Sequence, residues 1–286
     1  MPANVVLSAA MPWRSLRLGP LRFTPYGLCA AAGLMSSMGL VRRGARLSGV
    51  DPEAAWDAGL FALLSCFVAS RLLLALQSPS AFLHFPMLLL GLPSLTFGGM
   101  GLAALATVVY LRRKRLALLP LLDAFAAPAA LLAAFLELGH SLDGSEAGMP
   151  TSLPWGVAAV GAPAALRVHP VSLYGVALAL GLCVMLWRGS LAVARFAGSD
   201  RAWRPGSIAA MGLLGGGLAA FALDMLSVPP ALSTNLWLEP GQWIALICIL
   251  GGGLGMSLFL PRRSRLTTFQ SPKPGQTTKP LHMEVH

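Results

Sequence analysis

Glu137 and His140 stand three residues apart in a long apolar run, a spacing that puts both on one face of a helix. A carboxylate beside an imidazole orients the ring and raises its basicity, as a general base requires. The same pair also reads as a satisfied hydrogen bond where a helix meets water. Three further ionisable groups, Arg71, Asp123 and Asp224, lie inside apolar runs. In a bilayer each costs roughly 2.5–3.5 kcal/mol unless it faces protein or water. Arg71 either serves a site or snorkels to the surface. Asp123 follows a basic loop and either stabilises the amino end of a helix or belongs to a site. Asp224 needs a partner from across the bundle, and Arg71 is a candidate for it. Asp57, one turn into its run, reads as interfacial.

The stretch from Gly148 to Tyr174 is unusual for a connection between apolar runs. It holds four prolines, a tryptophan, a lone arginine and a His169-Pro170 pair that leads into the next run. Semi-rigid backbone with mixed polar side chains suits the wall or mouth of an active site. Taken singly, Trp155 reads as an interfacial anchor, Pro170 as a helix-start proline and His169 as a neutral cap.

These residues must be positioned by membrane helices. The 286 residues are 56% hydrophobic and only 11% charged, with a mean hydropathy of +0.69. About 20 apolar residues in a helix cross the hydrocarbon core. Seven runs meet or nearly meet that length, at about 25–41, 54–76, 94–111, 117–139, 170–187, 206–226 and 241–260. The run 81–93 is too short and is broken by Pro86, so it reads as re-entrant or interfacial. Two-residue alternation is absent, which excludes barrel strands. The expected fold class is all-α, a polytopic bundle of about seven transmembrane helices.

The net charge of +10 is not a nucleic-acid signal, because it is sorted by loop. Arg42, Arg43 and Arg46 follow the first run, Arg112 to Arg115 the third, and Arg188, Arg195, Arg201 and Arg204 the fifth. The tail carries five more basic residues, whereas the intervening connections hold almost none. The positive-inside rule then predicts a cytoplasmic C-terminus and an external N-terminus, against the opposing vote of Arg14, Arg17 and Arg22. Residues 1–22 are expected to form an exported segment without a cleavable leader, 23–262 one helical domain, and 263–286 a disordered cytoplasmic tail. The four cysteines fall inside runs and have no CxxC or Cys/His spacing, so they read as packing residues and no metal or cofactor is called for. Glycine runs at 212–220 and 251–255 suit close helix approach.

Several short motifs, in order, resemble the prolipoprotein diacylglyceryl transferase family. They are Pro25-Tyr26-Gly27, Arg71, Gly98-Gly99, Leu121-Leu122-Asp123, the run Gly148 to Trp155 with its PTSLPW core, His169-Pro170-x-x-Leu173-Tyr174, and Gly241-Gln242. They cover about residues 23 to 258. The resemblance implies transfer of a diacylglyceryl group from phosphatidylglycerol to the cysteine thiol of a preprolipoprotein, in the inner membrane of a bacterium. The thiol must become a thiolate, and cationic groups must stabilise the departing glycerol phosphate. The resemblance implies that Tyr26, Arg71, Gly98, Gly99, Asp143, His169 and Tyr174 stand around the substrates and that Asp224 is the catalytic acid kept from the family. His140 and Glu137 in catalysis, and Arg167 beside the substrates, are read from this chain's own residues. It implies no cofactor.

The chain also departs from the family pattern. The family has a histidine just before the paired glycines, where this chain has Phe97. Its signature of roughly Arg-x-Gly-Asn-x-x-Asn-Gly-Glu becomes Glu137-Leu-Gly139-His140-Ser-Leu-Asp143-Gly144-Ser145. Its Tyr, Arg and Glu at four-residue spacing fall on Gly216, Ala220 and Asp224. The expectation is a site rebuilt around Glu137, His140 and Arg71, with Arg167 as a second cation. The alternatives are an enzyme of the same fold with another acceptor, an inactive member, or a non-enzymatic carrier or assembly factor.

Overall fold

A computed structural model of the chain describes residues 16–18, 21–84, 97–144, 148–158, 167–196, 203–228 and 238–259. A short hairpin, β1 (Leu16–Leu18) and β2 (Leu21–Phe23), precedes the bundle, with Arg17 opposite Arg22 in its register. The helices are α1 (Pro25–Leu47), α2 (Pro52–Gln77), α3 (Pro79–His84), α4 (Phe97–Arg113) and α5 (Leu118–Asp143). After a second small sheet of β3 (Val157–Ala158) and β4 (Arg167–Val168) come α6 (Val171–Arg195), α7 (Ser207–Asp224) and α8 (Pro240–Phe259).

Local chemistry explains where the first helices begin and end. Thr24 accepts the Gly27 amide at 3.0 Å and Asp51 accepts the Ala54 amide at 2.8 Å, each followed by a proline at the first helical position. Gly144 closes α5 in the left-handed region at φ +61°, which glycine adopts without strain. Arg42 bridges to Glu53 at 3.1 Å and lies 4.3 Å from the Trp56 ring centroid, tying the α1–α2 turn.

The bundle is organised around α5, which packs on α1, α6 and α7; α2 and α4 pair beside α1, and α8 lies along α7. One apolar cluster joins Met38, Val41, Ala55, Leu111 and Ala124, and another joins Ala127, Ala130, Leu186 and Ile208. Many of these side chains are small, as helix contacts in a bilayer require. Gly217 illustrates the fit, since a methyl there would come to 2.8 Å of the Ala245 carbonyl oxygen. Outside, Leu64, Leu76, Ile247 and Leu250 are 65–77% exposed, an apolar surface suited to lipid.

Each of the seven expected runs contains a helix. Five of these helices, α2, α5, α6, α7 and α8, are long and apolar enough to cross a membrane. The other two fall short for identifiable reasons: α1 carries Arg42, Arg43 and Arg46 within its last turns, and α4 has only 17 residues. The run 81–93 begins within α3, and its remainder lies outside the described residues. So does the tail assigned to 263–286.

Candidate functional site

The candidate residues sit at the end of the bundle where α5 and α7 finish and α1, α6 and α8 begin. A close contact there joins α1 to α5. The Tyr26 and His140 rings are tilted at 45° with centroids 4.7 Å apart. Gly139 permits this approach, because a methyl on it would stand 2.9 Å from Tyr26 Cδ2. One turn earlier on α5, Glu137 turns toward α6. A methyl on Gly175 would lie 2.8 Å from its Cγ, Cδ and Oε2, so the carboxylate rests in the space a side chain at 175 would fill. Asp143, the last residue of α5, is half-buried beyond them.

The Pro-rich stretch folds back over this end as irregular sheet. The Thr151 amide donates to the Arg167 carbonyl at 2.9 Å, and the His169 amide donates to the Met149 carbonyl at 3.0 Å. On the other side the Met149 amide donates to the Leu226 carbonyl at 2.8 Å, and Gly148 bridges Ser227 just beyond α7. Gly148 is pressed onto the His169 backbone, where any side chain would clash. Trp155 Nε1 donates to the Tyr174 hydroxyl at 2.7 Å, and the His169 ring lies 6.2 Å from that of Tyr174. Among the described residues, His169 Nδ1 is buried without a hydrogen-bond partner. Trp155 thus ties the Pro-rich stretch to the first turn of α6. Pro170 is the N-cap of α6 rather than its first helical residue, and His169 precedes the cap.

Arg71 does not snorkel. It is 8% exposed on α2, with its guanidinium 5.7 Å from the Phe67 ring centroid. Gly59 on α2 meets Met38 on α1. Arg71 and Tyr26 each lie about 18 Å beyond that contact at the helical rise, which sets them level. The adjacent Ser70 packs against Gly99 at the start of α4, while Gly98 is exposed and faces Leu73.

One expectation needs correction. Arg71 and Asp224 form no ion pair: α2 packs on α1 and α4, whereas Asp224 ends α7, with Oδ1 3.9 Å from where a methyl on Gly241 would stand. Arg167 is exposed and donates to the Pro154 carbonyl at 3.2 Å, so it clips the Pro-rich stretch to itself. Asp123 has a structural task that its position in α5 did not announce. It lies at the opposite end of the bundle, where Oδ2 accepts the Gly206 amide at 2.6 Å and Oδ1 the Ala209 amide at 2.8 Å. The N-cap of α7 is Gly206, which has no side chain to accept these donors, so Asp123 supplies the acceptor from α5. Asp57 is exposed, as an interfacial residue would be.

Sequence reasoning missed Gly175. Its signal was a glycine at the fifth residue of a helix, directly after Leu173-Tyr174, where helix propensity alone disfavours it. The side chain of Phe97, and all of Ser145 and Glu146, lie outside the described residues.

Fold and site together define a polytopic helical membrane protein with Tyr26, Glu137, His140, His169 and Tyr174 brought to one end of the bundle. The chain belongs to the prolipoprotein diacylglyceryl transferase family, a family of transferases, whose model matches residues 14–258. It is 30% identical over 269 residues to the phosphatidylglycerol–prolipoprotein diacylglyceryl transferase of Azotobacter vinelandii, covering 88% of this chain and 96% of that protein. The protein of the same name from Methylococcus capsulatus is 28% identical over 264 residues, covering 87% and 96% respectively. One from Corynebacterium efficiens is 28% identical over 144 residues, about half of each chain.

Proposed function

We propose that this protein transfers a diacylglyceryl group from phosphatidylglycerol to the cysteine thiol of a prolipoprotein, from a seven-span position in a bacterial inner membrane. Its N-terminus faces outward and its C-terminus the cytoplasm. In the reaction the thiolate sulfur attacks the glyceryl carbon that carries the phosphate ester. A carbon–sulfur bond forms, the carbon–oxygen bond breaks, and glycerol phosphate leaves with the electron pair.

His140 takes the thiol proton, Glu137 orients it, and Tyr26 fixes the plane of its ring. Arg71, level with Tyr26 and buried, faces the phosphate of the donor, because a guanidinium fork matches phosphate oxygens. The stretch around Trp155, His169 and Tyr174 forms the mouth that receives the peptide, with Arg167 holding its backbone. Gly98, Gly99, Asp143 and Asp224 line the remaining approach. The observation that carries this reading is the Tyr26–His140 contact, which holds an imidazole at the end of an apolar bundle.

The test is transfer from labelled phosphatidylglycerol to a lipobox peptide in membranes, with and without His140→Ala. General-base catalysis contributes about 10²–10⁴-fold, and a loss of that size is expected. Unchanged transfer in the variant would remove His140 from the mechanism. Gly216 and Ala220 favour a second reading, because family positions for Tyr and Arg bear no polar group here. On that reading the protein modifies another acceptor or has lost turnover. Failure of the gene to rescue a strain depleted of its own transferase would select it.

A further inference from the structure

Where α1 and α6 finish and α5 and α7 begin, a cavity of about 420 Å³ opens, with Arg46, Ser48, Asp123, Ser190, Trp203 and Ile208 in its walls. Its volume is that of a small-ligand site, for which about 300–1,000 Å³ is typical. Asp123 and Glu137 are separated by about 20 Å along α5, so this cavity is remote from the Tyr26–His140 contact.

Its charges are arranged unusually. Arg46 and Asp123 have opposite signs and border one space, yet they do not pair. Among the described residues the ion pair is Arg42 with Glu53. The α7 amides hold Asp123 in place, so it cannot swing across to Arg46. The cavity therefore offers one positive and one negative wall. A purely anionic ligand would satisfy Arg46 and gain nothing from Asp123. A ligand with both charges a few bonds apart would satisfy the two walls together.

We propose that this cavity binds the zwitterionic head group of a phospholipid, with its phosphate on Arg46 and its ammonium on Asp123. A guanidinium fork suits phosphate. A carboxylate has about four lone-pair sites, and the α7 amides, Gly206 and Ala209 among them, do not occupy all of these. The Ser190 hydroxyl donates to the Leu186 carbonyl at 3.0 Å and keeps its oxygen as an acceptor. Trp203 and Ile208 supply apolar wall for the glyceryl end. The α7 amino terminus is closed by Asp123 and plays no part as an anion site. The cavity lies on the side of the arginine-rich loops, which makes it a site for the cytoplasmic leaflet, separate from the donor site and independent of the transfer reaction.

Native mass spectrometry of the purified full chain, titrated with phosphatidylethanolamine, phosphatidylglycerol and diacylglycerol, tests this. Phosphatidylethanolamine should be retained at least tenfold better than either of the others. Arg46→Gln should lower that retention about tenfold, and Ser190→Val should lower it by narrowing the cavity. Arg43→Gln, outside the cavity on the same helix turn, should leave it unchanged, and all variants should melt within a few degrees of the parent. Glycerophosphoethanolamine added as competitor separates the sources: displacement means that a water-soluble head group suffices, and failure to displace means that the lipid chains are needed. Equal retention of phosphatidylglycerol, or full retention in Arg46→Gln, would overturn the proposal.

Discussion

The Glu137 carboxylate lies against Gly175, in the volume that any larger residue on α6 would occupy. This relationship is steric and therefore easy to perturb. Gly175→Ala places a methyl 2.8 Å from three atoms of Glu137, and overpacking of this kind costs about 1–3 kcal/mol. A displacement of Glu137 should lower kcat for diacylglyceryl transfer roughly tenfold while leaving the protein folded. Combining it with Glu137→Asp, which is one methylene shorter, should recover part of the loss. Full activity in the single variant would show that the carboxylate has no part in the reaction.

Trp155 and Tyr174 form a hydrogen bond across nineteen residues of chain. Such a bond contributes about 0.5–1.5 kcal/mol. Trp155→Phe and Tyr174→Phe should each raise KM for a lipobox peptide severalfold, with little effect on kcat. The double variant should be no worse than either single one, since both remove the same bond. Additive losses in a double-mutant cycle would mean the two side chains act separately.

Asp123 should behave as a stability residue. Hydrogen bonds to a charged group contribute about 1.5–3 kcal/mol each, and Asp123→Ala removes two from the start of α7. The melting temperature in detergent should fall by several degrees, and transfer activity per folded molecule should be retained. A selective loss of activity with unchanged melting would move Asp123 into the catalytic machinery.

Arg71→Lys tests the phosphate assignment. Lysine keeps the charge but loses the planar fork, which should raise KM for phosphatidylglycerol about tenfold and leave KM for the peptide unchanged. Equal effects on both substrates would indicate a packing role beside Phe67.

The apolar runs were legible in the sequence because bilayer thickness sets a length that hydropathy reports directly. The motif-bearing residues were also legible as a group, since alternating helix direction brings Tyr26, His140, His169 and Tyr174 to one end. Pairings across the bundle were not legible. Asp224 and Arg71 looked complementary, but charge says nothing about which helices are neighbours, and α2 and α7 pack on different ones. Asp123 was misleading for a related reason: it stands in α5 but completes α7, and no spacing rule covers partners 83 residues apart. Gly175 left only the weak signal of a glycine inside a helix, because its contribution is an absent side chain.

The Asp123 cap also bears on how the chain is made. The residue that completes the amino end of α7 belongs to a helix synthesised earlier, with α6 between them. When α7 leaves the ribosome, its first amides find their acceptor already seated in the preceding helices. The reverse order would have left the Gly206 and Ala209 amides without that acceptor at the membrane while awaiting a later segment. A circular permutant that places α7 ahead of α5 should therefore insert poorly, even though every contact of the finished bundle remains available to it.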